Sequence, residues 1–366
     1  MLYLAIDQHR KQLTVNLRDE NAQVLVKRQV STRWQAVREF LADIQERGRQ
    51  AGGWMVIVEV CGFNDWLLKL LAEYGAGEIV LLHPEERLRQ KTDRRDANRL
   101  GELLWLNRHR LAAGRRVQGM RRVVIPSADD HLDRKLTSLR WRIGRERTRL
   151  LNRIKNILRR YNLEQECPTK SVTCQTGLRW LRQVAVSELD RLDLNQLLGR
   201  LEVVNTERAA LEEKIRERQK RNVAAARIAT IPGMGAYISL GLACRVGDVR
   251  RFPRPRSLAN YWGLTPRTRN SGEAKQRLGS ITKQGSALAR FLLGQAVLHV
   301  LRKDSVLREW YKGIKRRRGS KIARVAVMRR LATIIWQLLS KEQTYVPGGP
   351  RRQAQRQAKA AQAAAN

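Results

Sequence analysis

Acidic residues are in short supply in this chain. Over 366 residues, 34 Asp and Glu stand against 73 Lys and Arg, leaving a formal charge of +39. Such an excess repels itself unless a polyanion is the usual partner, which points to nucleic acid. Cysteine is scarce too. Cys61, Cys167, Cys174 and Cys244 form no C-x-x-C pair, and the five histidines do not gather near them. That argues against a zinc module, and disulfides are not expected in what reads as a cytoplasmic protein. Long apolar runs are missing: none approaches the roughly 20 residues of a membrane-spanning helix. The start, Met1-Leu2-Tyr3-Leu4-Ala5-Ile6-Asp7, lacks the charged-then-apolar layout of a signal peptide. A basic membrane-surface protein is therefore the weaker alternative.

What is present begins with a group of acids. Residues 2–7, 11–19 and 23–30 read as three consecutive strands, with Leu13, Val15 and Leu17 on one face of the second. A helix is predicted over 34–47, a strand over 55–60, a helix over 66–74 and a strand over 79–82. Strands followed by helix–strand alternation predict a mixed α/β sheet with helices on its faces. Asp7 and Glu59 fall at the C-terminal ends of apolar strands, where open α/β sheets build their sites. Asp93 and Asp96 open a further helix and, three residues apart, share one of its faces. Each acid has a plainer reading, as a strand end or as a first-turn charge that suits the helix dipole. Four carboxylates at one place would repel each other unless divalent cations neutralised them. Asp7, Glu59, Asp93 and Asp96 thus read as a site for two Mg²⁺ (or Mn²⁺) ions that transfers phosphoryl groups.

The second half is helical and cationic. Residues 132–160 carry eleven Lys and Arg against two acids, on an apolar stripe of Leu132, Leu136, Leu139, Ile143, Leu150, Ile154 and Ile157 interrupted at Glu146 and Arg147. After a connector at 162–176, Leu194, Leu197, Leu201, Val204, Leu211 and Ile215 mark a second long helix, with Arg208 in a heptad position. The pair reads as an antiparallel coiled coil or oligomerisation arm, or else as a helical hairpin within one subunit. Pro232-Gly233-Met234-Gly235 between apolar helices suits a hairpin in which Gly233 and Gly235 let backbone N–H groups approach a phosphate. Ser271 lies in a polar loop among Arg267, Arg269, Lys275, Arg277 and Lys283. It is either a solvated turn serine or a hydroxyl whose attack on a phosphodiester those cations would favour. Residues 301–340 hold twelve Lys and Arg against two acids, including Lys315, Arg316, Arg317 and Arg318. From Val346 the composition turns low-complexity, and disorder is expected.

Taken together, "AIDQHRKQLTV", "VIVEVCGFNDWL" and "KTDRRDANRL" resemble the DEDD transposases of insertion-sequence family 110, kin of the Piv DNA invertases. Gly263, Pro266, Ser271-Gly272, Arg277, Gly279, Ile281, Lys283 and Gly285 match that family's later pattern. The resemblance implies a RuvC-like domain of RNase H type over 1–122, a helical coiled-coil linker over 123–222 that serves assembly, and a helical transposase domain over 223–345 with a helix-hairpin-helix-like element. A basic tail would occupy 346–366. It further implies Mg²⁺ held by Asp7, Glu59, Asp93 and Asp96, and Ser271 as the nucleophile joined covalently to DNA. The active centre would be composite, in dimers or tetramers acting on double-stranded element ends and targets, with an element-encoded bridge or seeker RNA as guide. Val60-Cys61-Gly62 departs from the family's sequence after the Glu. The rival functions are a hydrolytic junction nuclease that makes no use of Ser271 and a non-catalytic nucleic-acid-packaging protein.

Overall fold

The computed structural model describes residues 1–84, 93–115, 117–118, 120–269 and 277–349, with side chains omitted at 84, 93–96, 268–269 and 277–278. The chain divides into two compact units, Met1–Ile125 and Pro126–Asn366.

The first unit is built on a meander of β1 (Leu2–Gln8), β2 (Gln12–Arg18) and β3 (Val24–Ser31). Helix α1 (Trp34–Gln50), β4 (Trp54–Glu59), α2 (Asp65–Glu73) and β5 (Glu78–Pro84) follow in the alternation the sequence predicts. Then come α3 (Asp93–Leu106), a short α4 (Arg108–Ala112) and β6 (Met120–Val123). The strands lie in the order β3-β2-β1-β4-β5-β6. β1 and β5 flank β4 in parallel, while the other three pairings are antiparallel. The sixth strand was not anticipated. Its Met-Arg-Arg-Val has no apolar alternation, and it is placed by pairing Arg122 opposite Leu82, not by its own pattern.

Alternation along the strands sorts the two faces. Leu4, Ile6, Leu13, Val15, Leu17, Val56 and Val58 meet Val37, Phe40, Leu41 and Ile44 of α1 and Leu67 and Leu71 of α2. Tyr3, Ala5, Met55, Ile57, Val80 and Leu82 meet Leu100 and Leu104 of α3 and Leu111 of α4. Each fully buried Leu contributes about 1.5–3 kcal/mol relative to exposure, so α3 is held firmly to its face of the sheet.

In the second unit, α5 (Ala128–Arg160), α6 (Gln175–Gln183) and α7 (Glu188–Arg221) come first. Where one long helix was expected after the connector, there are two, separated around Val184–Ser187. Both long helices start at a Ser whose hydroxyl accepts from the backbone N–H three residues on: Ser127 from Asp130 at 3.1 Å and Ser187 from Asp190 at 3.3 Å. α5 and α7 run antiparallel. Arg160 reaches Asp190, Arg153 reaches Asp193 (3.1 Å), Arg147 reaches Asn205 (2.8 Å), Arg140 reaches Glu212 (2.6 Å), and Arg218 bonds Asp133. The interruption at Arg147 is thus filled by a polar partner, and Arg208 is held by Glu212 at 2.9 Å. Leu132 and Leu139, assigned to the apolar stripe, are instead exposed (53% and 37%). Asp133 and Thr137 are buried in that part of the helix.

The rest of the unit is α8 (Val223–Ala229), α9 (Ala236–Val246), α10 (Pro255–Tyr261), β7 (Pro266–Arg269), β8 (Arg277–Ile281), α11 (Ala287–Lys303) and α12 (Ser305–Ser340). Its core gathers Ile228, Ile231, Met234, Leu240, Trp262, Leu292, Val327 and Ile335. α12 is kinked at Gly319, where the backbone leaves helical geometry (φ 80°). Beyond it the chain returns to the core, where buried Asp304 accepts from Tyr345 Oη and from Gly348 N (2.8 Å).

Candidate active site and nucleic-acid surface

Asp7 and Glu59 come together. Parity puts Asp7 on the same face as Tyr3 and Ala5, and Glu59 on the same face as Met55 and Ile57. Their strands are parallel neighbours with Ile6 opposite Val58, so the two acids are adjacent at the C-terminal ends of β1 and β4. α3 covers this face, and its direction is fixed by two contacts. Asn98 Oδ1 accepts from Asn16 Nδ2 (3.1 Å) and from Arg18 Nη2 (3.1 Å), while Trp105 Nε1 donates to Glu20 O (3.0 Å). Asn16 lies opposite Ala5, and Thr14 lies opposite Asp7. α3 therefore runs antiparallel to β1. Stepping back from Asn98 at about 1.5 Å per residue, against about 3.3 Å per strand residue, brings its first turn level with Asp7. The backbone of Asp93 and Asp96 thus begins at the end of the sheet that carries the other two acids; their side chains lie outside the description. Among the described residues, no group of three or more His, Cys, Asp or Glu is arranged to hold a metal.

Three further residues shape this place. His9 Nε2 is 3.1 Å from Asp7 Oδ2. Buried Asn64 ties the loop after Glu59: its Nδ2 donates to Glu59 O (3.1 Å) and Gln8 Oε1 (2.8 Å), and its Oδ1 accepts from Cys61 N (2.6 Å). This strap holds Val60-Cys61-Gly62, the sequence that departs from the family pattern. Burial pushes the Cys61 thiol up, and the negative charges of Asp7 and Glu59 push the same way. Thr14 Oγ1, on the same face, is buried without a partner among the described residues. Sequence reasoning missed Asn64 because nothing marks an Asn as a strap until its two loops are adjacent. His9 was more accessible, lying two residues beyond Asp7.

In the second unit, Gly233 and Gly235 are exposed in the turn between α8 and α9. Gly233 has φ +80°, and a Cβ there would overlap His299 on α11, so only glycine fits. Gly235 precedes the first turn of α9, which has no side-chain cap. The residues on either side of the predicted polar loop form two paired strands, with Arg269 opposite Arg277. Ser271 and Lys275 fall between them in sequence and lie outside the described residues, as do the side chains of Arg269 and Arg277. Arg267 is exposed and donates to Thr282 O (3.2 Å). Lys283 is exposed with φ +56°. At the base of the strand pair two backbones cross. A Cβ on Gly263 would strike Gln284 O, and one on Gly285 would strike Tyr261 O. Arg290 closes the crossing by donating to Trp262 O (3.1 Å) and Gln284 O (2.9 Å), and burial pulls its pKa down. Lys315–Arg318 are exposed on α12 just before its kink. No helix among the described residues is long and apolar enough to cross a membrane.

Residues 225–312 match the family model described as transposase of the IS116/IS110/IS902 family. The chain is 32% identical over 306 residues to the transposase for insertion sequence element IS1111A of Coxiella burnetii, covering 79% of each protein. It is 27% identical over 317 residues to a "probable family 20 transposase" of Pseudomonas aeruginosa, spanning 84% of this chain and 90% of that one. A transposase for insertion sequence element IS1328 of Yersinia enterocolitica is 29% identical over 130 residues, 34% of this chain.

Proposed function

The chain belongs to the IS116/IS110/IS902 family of transposases, and from that premise we propose that it cuts and rejoins DNA strands by transesterification, using a carboxylate-bound divalent metal and Ser271. The observation that carries the metal half is the placement of Asp7 and Glu59 side by side on the face where α3 begins with Asp93 and Asp96. The strand order β3-β2-β1-β4-β5, a meander followed by parallel strands, supports a RuvC-like reading of this unit.

Carboxylate oxygens are hard donors that suit Mg²⁺ or Mn²⁺, and Asp7, Glu59, Asp93 and Asp96 would hold such ions. A bound divalent ion supplies charge neutralisation at the phosphate. The chain's own residues do the rest. His9 orients the Asp7 carboxylate, and Asn64 holds the turn that presents Glu59. The Ser271 hydroxyl oxygen forms the new bond to phosphorus, and its proton passes to the oxygen of the departing strand. Reversal onto a different strand end rejoins DNA without ATP, because the phosphodiester energy is kept in the protein–DNA ester. The Gly263–Gly285 crossing, locked by Arg290, gives the strands that flank 270–276 a fixed base. Base pairing with an element-encoded guide RNA would supply target choice, leaving the cations to hold backbones; sequencing nucleic acid that copurifies with the protein tests this part.

The decisive experiment is a denaturing gel with end-labelled element DNA, Mg²⁺ and copurified RNA. Asp7→Asn, Glu59→Gln, Asp93→Asn and Asp96→Asn should each abolish cleavage while DNA binding persists. Ser271→Ala should remove both the labelled protein adduct and the recombinant product. Cleavage by the wild type with no labelled polypeptide, or recombination by Ser271→Ala, would transfer the assignment to a hydrolytic nuclease.

A further inference from the structure

The second unit has a groove of about 700 Å³ between α10 and α12, lined by Arg254, Pro255, Arg256, Trp310, Arg329 and Arg330 among others. Its size falls within the range of about 300–1,000 Å³ common for ligand sites. Two features set it apart from an ordinary basic surface. The first is uncompensated charge: among the described residues, the guanidinium groups of Arg254, Arg256 and Arg329 have no acid or carbonyl partner, and only Arg330 is tied, to Gly348 O at 3.3 Å. Other arginines of this unit are internally paired, as Arg140 and Arg208 are on Glu212, whereas these three converge on one cavity. Three unpaired guanidiniums around one cavity imply an anion from outside. The second is the wall. Pro255, Ala259 and Ala326 give it an apolar lining, and Trp310 contributes an indole that stays 43% exposed despite its size.

Apolar walls with an aromatic face and a cationic rim are complementary to a nucleotide: a base to stack, and phosphates on either side. A duplex does not offer this combination, because its bases are stacked on one another and its grooves expose base edges but no base face. An acidic peptide would satisfy the arginines but leave the indole and the apolar wall without a matching partner. We propose that this groove holds an unpaired nucleic-acid strand, with one base laid against Trp310 and the adjoining phosphates met by Arg254, Arg256 and Arg329. This site lies wholly within the second unit and does not depend on the carboxylates or on Ser271, so it stands or falls separately from the strand-transfer reading.

The test is fluorescence anisotropy on the full-length protein in EDTA, so that cleavage does not intervene. The probes are a short labelled single-stranded DNA, the RNA of the same sequence, and the corresponding DNA duplex. Each variant is first matched to the wild type by thermal melting. Trp310→Ala should weaken single-strand binding by roughly 5- to 150-fold, the range set by loss of one base–aromatic stack, while duplex binding is unchanged. Trp310→Phe, which keeps an aromatic face, should retain most of the affinity, guarding against a merely structural effect. Arg254→Gln combined with Arg256→Gln should flatten the single-strand salt dependence by about 1.4 in log–log slope, about 0.7 per phosphate lost. A Trp310→Ala effect on DNA alone, on RNA alone or on both would each support the groove and identify the strand it takes. Equal weakening of duplex and single strands, or no effect of Trp310→Ala on either single strand, would overturn the proposal.

Discussion

Asn64 is a residue whose role follows from its neighbours alone. Its side-chain amide uses both donor hydrogens and its carbonyl oxygen, joining Gln8 beyond Asp7 to the loop that follows Glu59. Removing it leaves Gln8 Oε1 and the Cys61 N–H short of partners in a half-buried place, which costs about 1–3 kcal/mol. Asn64→Ala is therefore expected to lower the stability of the first unit by that amount, measured by urea unfolding, and to reduce Mg²⁺-dependent cleavage more than DNA binding. Asn64→Asp restores the acceptor but not the amide donors and adds a third negative charge beside Asp7 and Glu59. Its cleavage should be no better than that of the alanine variant. If Asn64→Ala cleaves at the wild-type rate, the strap does not position Glu59. At this scale the sequence was readable for acids, because a carboxylate at a strand end is conspicuous among so many cations. It was silent on Asn64 and Thr14, whose meaning depends on which strands become neighbours.

At the scale of elements, local signals served where pattern and packing agreed. Strands β1, β4 and β5 were legible as short continuous apolar runs, β2 and β3 by alternation, and helices α1 to α3 by an apolar stripe at a period of about 3.6. β6 and the β7–β8 pair were not, since cross-strand pairing holds a Met-Arg-Arg-Val or a Pro-Arg-Thr-Arg in place without an apolar face of its own. The antiparallel pair α5–α7 is an intermediate case. The stripe gave the helices, yet its interruption at Arg147 proved to be a cross-helix contact to Asn205; Arg140 also crosses, to Glu212, which on its own helix holds Arg208. Burial pushes the Glu212 carboxyl up, but hydrogen bonds from Arg208 and Arg140 outweigh it and leave its pKa below the usual 4.5. A depressed folded-state value means that this stabilisation is present above about pH 4.5 and is lost as pH falls through the lower folded value. Glu212→Gln should therefore lower the melting temperature of the second unit at neutral pH. The gap from wild type should narrow steadily below about pH 4.5. A gap that persists unchanged at pH 3 would mean the amide fails for reasons of shape and not charge.

For the whole molecule, the formal +39 overstates the charge available to a partner. Several arginines are committed to the fold. Arg245 is buried and donates to Thr137 Oγ1 (2.9 Å), Gly241 O (2.8 Å) and Ser138 Oγ (2.9 Å). Arg290 locks the backbone crossing, Arg218 bonds Asp133 and Asp129, and Arg191 donates to the carbonyls of Leu181 and Val184. Counting cations along the sequence cannot separate these from free ones, because both kinds sit on helices at similar spacing. The exposed Lys315–Arg318 run before the Gly319 kink belongs to the available set. Each duplex phosphate neutralised releases counterions and contributes about −0.9 to the slope of log K against log salt. A protein engaging on the order of 6–10 phosphates should show a slope between about −5 and −9. Replacing Lys315, Arg316, Arg317 and Arg318 together by Gln should make that slope shallower by about 2–4, depending on how many of the four meet phosphates. Since these side chains are exposed, the melting temperature should barely move, which separates lost contact from lost folding. A wild-type slope shallower than about −3 would show that most of the surface cations do not meet DNA. An unchanged slope in the quadruple variant would instead remove the α12 run from the interface and leave the duplex to other cations of the surface.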